Sequence, residues 1–204
     1  MKTPTLLTAL GLATALAVPS PAQADTWEID TTHSQSTFSV KHLMVTTVRG
    51  QFGRTAGKVQ FDGKDVSTIS VEATIDATTI NTREQKRDDH LRSADFFDVE
   101  KHPTITFRSK RVEAATGGKF KLIGDLTMRG VTKEVVLDVE GPTPAITDMQ
   151  GNQRVGATAT TRLNRKDFNI VWNRALDGGG VVVSDEVDVT IDLALVKRAP
   201  AAGE

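Results

Sequence analysis

The chain has 204 residues, a formal net charge of −1, 38% hydrophobic residues and 25% charged ones. That balance excludes a disordered chain and an integral membrane protein, and the near-zero charge leaves no basic field for nucleic acid. Cysteine and tyrosine are both absent. This removes disulfides, thiolate nucleophiles, zinc–thiolate sites and iron–sulfur clusters, and restricts any chemistry to histidine, hydroxyl, carboxylate and amine groups.

In chain order, the first segment reads as a cleavable secretory signal over residues 1–24. Lys2 is the only charge before Asp25, Leu6 to Val18 is an apolar run, and Ala22-Gln23-Ala24 is a small-x-small end. A helix over that run would span roughly 20 Å at ~1.5 Å per residue, short of the ~30 Å hydrocarbon core of a bilayer. Cleavage is expected after Ala24, giving an exported mature protein.

From residue 25 the dominant signal has period two. Ile69, Val71, Ala73, Ile75 and Ala77 alternate with polar neighbours, as do Phe120, Leu122, Gly124, Leu126 and Met128, and Val187, Val189, Ile191, Leu193 and Leu195. Shorter runs repeat the pattern at Phe38-Val40-His42, Val48-Gly50-Phe52, Val59-Phe61, Ile105-Phe107, Val135-Leu137-Val139 and Val155-Ala157-Ala159. Successive strand side chains point to opposite faces, so each run predicts a strand with one apolar and one wet face. Such strands suit an antiparallel sheet. Asp62-Gly63, Gly117-Gly118, Arg129-Gly130 and Gly151-Asn152 fall between the runs, where reverse turns need permissive residues. Gly141-Pro142-Thr143-Pro144 ends pairing and begins a loop. One helix interrupts the strands. Thr82-Arg83-Glu84-Gln85 matches a capping box with Thr82 as N-cap, and the segment to about Ser93 has Leu91 as its one large apolar residue. So polar a helix belongs over one end of the sheet, with Phe96-Phe97 turning inward behind it.

Eight or more strands and almost no helix predict a sandwich or a barrel. A tall eight-strand barrel can enclose a ligand, with Ala73, Gly124, Ala157 and Ala159 leaving room inside. Residues 25–197 form one domain on this reading, and residues 198–204 a disordered tail.

The chemistry-bearing residues yield no established motif. His33, His42, His90 and His102 show no metal-binding spacing. His42 shares the inward parity of Phe38 and Val40, His33 sits at a turn, and His102 is expected to be exposed before Pro103. Asp88-Asp89 with His90 resembles acid–base material, but neighbours along a helix do not face one another. Gly178-Gly179-Gly180 lacks the strand-to-helix context of a phosphate loop and reads as a flexible loop. Phe38, Phe52, Phe61, Phe107, Phe120 and Met128 lie on the apolar parity of their strands. That placement fits a packed core and the wall of an apolar pocket equally well.

Several ordered strings resemble one family. Trp27-x-Ile29-Asp30-x-x-His33-Ser34-x-x-x-Phe38-x-Val40-Lys41-His42-Leu43 is similar to the opening signature of the YceI-like family. Val48-Arg49-Gly50-Gln51-Phe52, Gly57-x-Val59-x-Phe61-Asp62 and Asp89-His90-Leu91-Arg92-Ser93-Ala94-Asp95-Phe96-Phe97-Asp98-Val99 continue it. Pro103-x-Ile105-x-Phe107, Gly124-Asp125-Leu126-Thr127-Met128-Arg129-Gly130-Val131-Thr132-Lys133, Lys166-Asp167-Phe168 and Val183-Ser184-Asp185-Glu186-Val187 complete it. The chain departs from the family pattern at Trp27, where tyrosine is usual, at Asn169, where glycine usually follows, and at the helix entry Thr78 to Thr82.

The resemblance implies an all-β, eight-stranded antiparallel barrel of extended lipocalin type, capped at one end by the short polar helix. It implies a periplasmic binding protein, not an enzyme, that needs no cofactor or metal. In its interior it would sequester a polyisoprenoid, such as an isoprenoid quinone or a polyprenyl lipid, with transient membrane contact and homodimerisation as further implications. The expected lining is Phe38, Val40, His42, Leu43, Met44, Phe52, Phe61, Ile75, Leu91, Phe96, Phe97, Phe107, Phe120, Leu126, Met128, Phe168, Trp172, Val189 and Ile191. Two other readings stay open: a lipid- or quinone-modifying enzyme built on His33, His42, His90 or nearby carboxylates, and a filled barrel acting through its surface.

Overall fold

The computed structural model describes residues 24–199. The leader read from the sequence at residues 1–24 falls almost wholly outside them, as does most of the tail read at 198–204.

The period-two runs all form strands: β1 (Asp25–Ile29), β2 (Gln35–His42), β3 (Thr46–Phe52), β4 (Thr55–Phe61), β5 (Ser70–Asp76), β6 (Thr104–Thr116), β7 (Lys119–Met128), β8 (Val131–Glu140), β9 (Ile146–Thr147), β10 (Gln153–Asn164) and β11 (Glu186–Lys197). Every pairing is antiparallel. Strands β1, β4, β5, β6, β7, β8, β10 and β11 close on themselves, because β11 pairs with both β10 and β1. The result is an eight-stranded barrel, as the sequence resemblance implied.

Closure depends on a division of labour along β11. At one end, Leu195 and Val196 pair with Ile29 and Glu28 of β1. Nearer the other end, Asp188 to Asp192 pair with Ser39 to Gln35 of β2. The β2–β3 hairpin thus lengthens the wall beyond β1. A buried hydroxyl pair, Ser36 Oγ to Thr55 Oγ1 at 2.8 Å, ties β2 to β4 where the wall changes strands. Beyond β3 no strand among the described residues completes the ring. There the chain between β5 and β6 fills the gap, anchored by the Gln51–Asn81 bridge and by Gly53 N–H donating to Thr79 Oγ1 at 2.9 Å.

The helix in that gap, α1, runs Gln85–Arg92, later than the capping box predicts. Glu84 caps it, its carboxylate accepting from Lys86 N–H. Thr82 instead serves the interior of the helix: its N–H and hydroxyl both donate to Asp88 Oδ1, at 2.8 and 2.5 Å. Asp88 is therefore buried, although it lies in a run of charged residues.

Two glycines settle how the inner face is packed. A Cβ on Gly50 would lie 2.4 Å from Phe38 Cζ, and one on Gly124 would lie 2.6 Å from Phe107 Cζ. Each aromatic ring occupies the space that its neighbouring glycine vacates. Gly124 thus makes room for a side chain and not for the lumen, correcting the sequence reading. Asn169, at the glycine-like position after Phe168, adopts φ 58°. Asparagine tolerates this left-handed conformation, so the departure from the family pattern leaves the turn glycine-like.

Candidate functional site

The inward side chains do not fill the barrel. Trp27, Phe61, Phe120, Val139, Val155 and Leu195 close one end and are buried. Trp27 Nε1 donates to Phe61 O there at 3.3 Å, which satisfies the indole. Along β11, by contrast, Val187, Val189, Ile191 and Leu193 point inward yet remain only partly buried. Between them and β2, β5, β6, β7 and β8 lies a cavity of about 390 Å³, within the range of small-molecule sites. The lumen lies alongside the twelve-residue β10–β11 ladder, which measures roughly 36 Å along the strands.

All but three of the residues expected to line such a space do line it. Phe38, Val40 and His42 come from β2 and Phe52 and Phe61 from β3 and β4. Ile75 and Phe107 come from β5 and β6, and Phe120, Leu126 and Met128 from β7. Leu91, Phe96, Phe97 and Trp172 stand around the far end, and Val189 and Ile191 come from β11. Leu43 and Met44 do not line it; they form an exposed turn outside the mouth. Phe168 is 2% exposed but packs within a 3₁₀ turn away from the lumen. Neither segment belongs to a strand, so period-two parity carries no information about it. Sequence reasoning missed Leu193, Leu163 and Val187 on the same inward faces, which the parity of their strands would have found, and Arg87 and Arg165, which it would not.

The open end is framed by α1 and the segment that links β10 to β11. Arg165 staples that segment. Its Nη1 donates to Ile170 O (2.7 Å) and Trp172 O (2.8 Å), its Nε to Ser184 O (3.0 Å), and its Nη2 meets Asp185 Oδ1 at 3.2 Å. Burial pushes its pKa below the usual arginine value, against the opposing charge and hydrogen bond of Asp185. Arginine nonetheless stays charged. Arg129, from the β7–β8 turn, donates to the carbonyls of Ala94 and Asn169 and so binds the two sides of the mouth together. The three-glycine run is not a loose loop. It tips an ordered hairpin closed by the Ala175–Val181 bridge, with Leu176 N–H donating to Gly180 O at 3.2 Å.

The histidines separate. His33 Nδ1 lies 2.9 Å from Asp30 Oδ2 at a turn on the closed end. His102 is half-buried against Gly130, not exposed as expected. His42 and His90 both line the cavity. His90 Nε2 lies 2.8 Å from Asp95 Oδ2, and its ring stands edge-on to Phe96 and Trp172 with centroids 5.0 Å from each. No group of three or more histidines and carboxylates able to hold a metal ion occurs among the described residues.

Fold and site together define a hollow antiparallel barrel with an apolar lumen, the architecture of a binding protein. Comparison with known proteins specifies which. The YceI-like domain model matches residues 27–195, and the chain belongs to that family. Among curated relatives, the UPF0312 protein SAS2572 of Staphylococcus aureus is 39% identical over 158 residues, covering 78% of this chain and 90% of its own. Solved structures agree on the fold. The YceI protein of Campylobacter jejuni aligns with a TM-score of 0.64 and 28% identity over 78% of this chain and 90% of that one. BcnA of Burkholderia cenocepacia aligns with 0.68 and 24% over 81% and 98%. A polyisoprenoid-binding domain from Saccharophagus degradans aligns with 0.62 and 16% over 86% and 100%.

Proposed function

We propose that this protein is an exported carrier that encloses one long apolar chain, the isoprenoid tail of a quinone or a polyprenyl lipid, with no covalent step. The observation that carries the reading is the inner face of β11: aliphatic side chains directed into the barrel, incompletely buried, around an apolar cavity of about 390 Å³. Isoprenoid binding by the Saccharophagus degradans domain of the same fold supports the choice of tail. Export to the periplasm rests on the leader-like first 24 residues. Burying about 20 prenyl carbons is worth roughly 16 kcal/mol gross at ~0.8 kcal/mol per carbon. Association and ordering remove about 4–15 kcal/mol of that, leaving a favourable balance of about 1–12 kcal/mol from apolar contact.

An exchange route with membranes is part of the same proposal. Leu43, Met44 and Val45 are 40%, 56% and 80% exposed beside the mouth, and this apolar exposure supports a role in dipping into a lipid surface. A catalytic role is less well supported. His90 and Asp95 do form a pair beside the cavity, but acid–base or nucleophilic work needs a reacting partner at the other ring nitrogen. Of the hydroxyls near this end, that of Thr82 is already engaged by Asp88 and Arg87, and that of Ser93 donates to the His90 carbonyl. The test is titration with an isoprenoid chain followed by thermal melting. The melting temperature should rise with ligand concentration, and no rise at saturating ligand would refute the carrier.

A further inference from the structure

An apolar chain needs no charge in its container, yet four titratable side chains line this one: His42, Arg87, His90 and Arg165. All four are basic, and no carboxylate is among the described residues that line it. They also gather at one end. His90 touches Trp172, Arg165 donates to the Trp172 carbonyl, and His42 bridges to Val183, whose N–H donates to the Asn173 side chain.

Their hydrogen bonds distinguish them. Four of the five N–H groups of Arg165 are spent on the loop it staples, and His90 Nε2 is taken by Asp95. Arg87 is held but not consumed. Its Nε donates to Thr82 Oγ1 at 2.7 Å and its Nη2 to Thr82 O at 2.9 Å. The balancing carboxylate, Asp88, lies behind the Thr82 hydroxyl, which donates to it. Arg87 forms no ion pair with a carboxylate among the described residues, and Nη1 has no partner there. The guanidinium is therefore held by two hydrogen bonds at the solvent-exposed rim of the cavity, with Nη1 left over, an arrangement suited to a planar oxyanion contact.

We propose that the mouth selects an apolar chain ending in an oxyanion, with Arg87 as the residue that reads the charge and His42 and His90 beside it. This rests on the carrier reading and adds the chemistry of the head. Phosphate on a polyprenyl chain and carboxylate on an acyl chain share that chemistry.

The experiment compares two matched pairs, geranylgeranyl phosphate with geranylgeraniol and palmitate with hexadecanol. Each binds the wild type, Arg87→Gln and Arg87→Lys by displacement of a fluorescent apolar probe. In the wild type the charged member of at least one pair should bind about tenfold tighter or more, the size of one charge-assisted hydrogen bond. That preference should shrink as salt rises. Arg87→Gln should bring the charged-to-neutral affinity ratio close to one, with an unaltered circular dichroism spectrum and cooperative melting showing the variant to be folded, and Arg87→Lys should keep part of the preference. The pair that shows the preference identifies the tail. Equal binding of charged and neutral members, or a preference that survives Arg87→Gln, overturns the proposal and leaves the carrier intact. If no chain of either kind binds, the carrier reading itself has failed and the head selectivity falls with it.

Discussion

Asp88 shows how much one residue can decide. In the sequence it is one charge among several on a polar helix, and nothing in the spacing marks it for burial. In the fold it accepts two hydrogen bonds from Thr82, and Thr82 in turn positions Arg87. Removing it leaves a buried N–H and hydroxyl without their acceptor. Asp88→Ala should therefore cost about 1–3 kcal/mol in urea unfolding, and it should also lower any preference for a charged head. A second residue-level effect concerns pH. The Arg154 guanidinium bridges Asp30 and Asp148, at 2.8 and 2.7 Å. It holds the Asp148 carboxyl at about 2 and, with His33, holds Asp30 far below the usual carboxylate range. Both groups bind protons more weakly folded than unfolded, where the ordinary value is ~3.9. Their contribution is complete above about pH 4 and is lost as the pH falls toward 2. Arg154→Met should lower the melting temperature at pH 7, and the gap from wild type should narrow below pH 4.

At the level of elements, period two reads strands well and connections badly. Parity correctly turns Phe38, Phe107 and Ile191 inward because each belongs to a strand whose neighbours enforce the register. It says nothing about Leu43, Met44 or Phe168. The capping pattern at Thr82 likewise misplaces the helix start, because Thr82 makes a tertiary-like bond to Asp88 that competes with capping. The turn at Leu43-Met44 is the sharpest conflict between local preference and fold. Both residues sit at positive φ, 52° and 57°, where hairpins favour asparagine and glycine. Replacing them with Asn-Gly should stabilise the protein by about 1–2 kcal/mol in denaturant unfolding. If the turn serves exchange with membranes, the same double variant should take up isoprenoid from vesicles more slowly, without a change in affinity for dispersed ligand.

For the whole molecule, a cysteine-free chain must hold a hollow barrel together by its strand ladder and its one packed end. The barrel was legible from alternation and from the family resemblance. The lumen was not, because the same inward residues could have met in the middle. What keeps them apart is closure through two strand sets along β11 and small residues such as Ala157 on the wall. Filling that space tests the consequence. Ala157→Phe should keep or raise the melting temperature while weakening binding of a C20 isoprenoid more than tenfold. The most direct measurement is native mass spectrometry of the wild type incubated with geranylgeraniol. The account predicts one chain per barrel, retained in the folded ion and largely lost in Ala157→Phe. A spectrum showing only the bare protein, or equal retention by both, would contradict it.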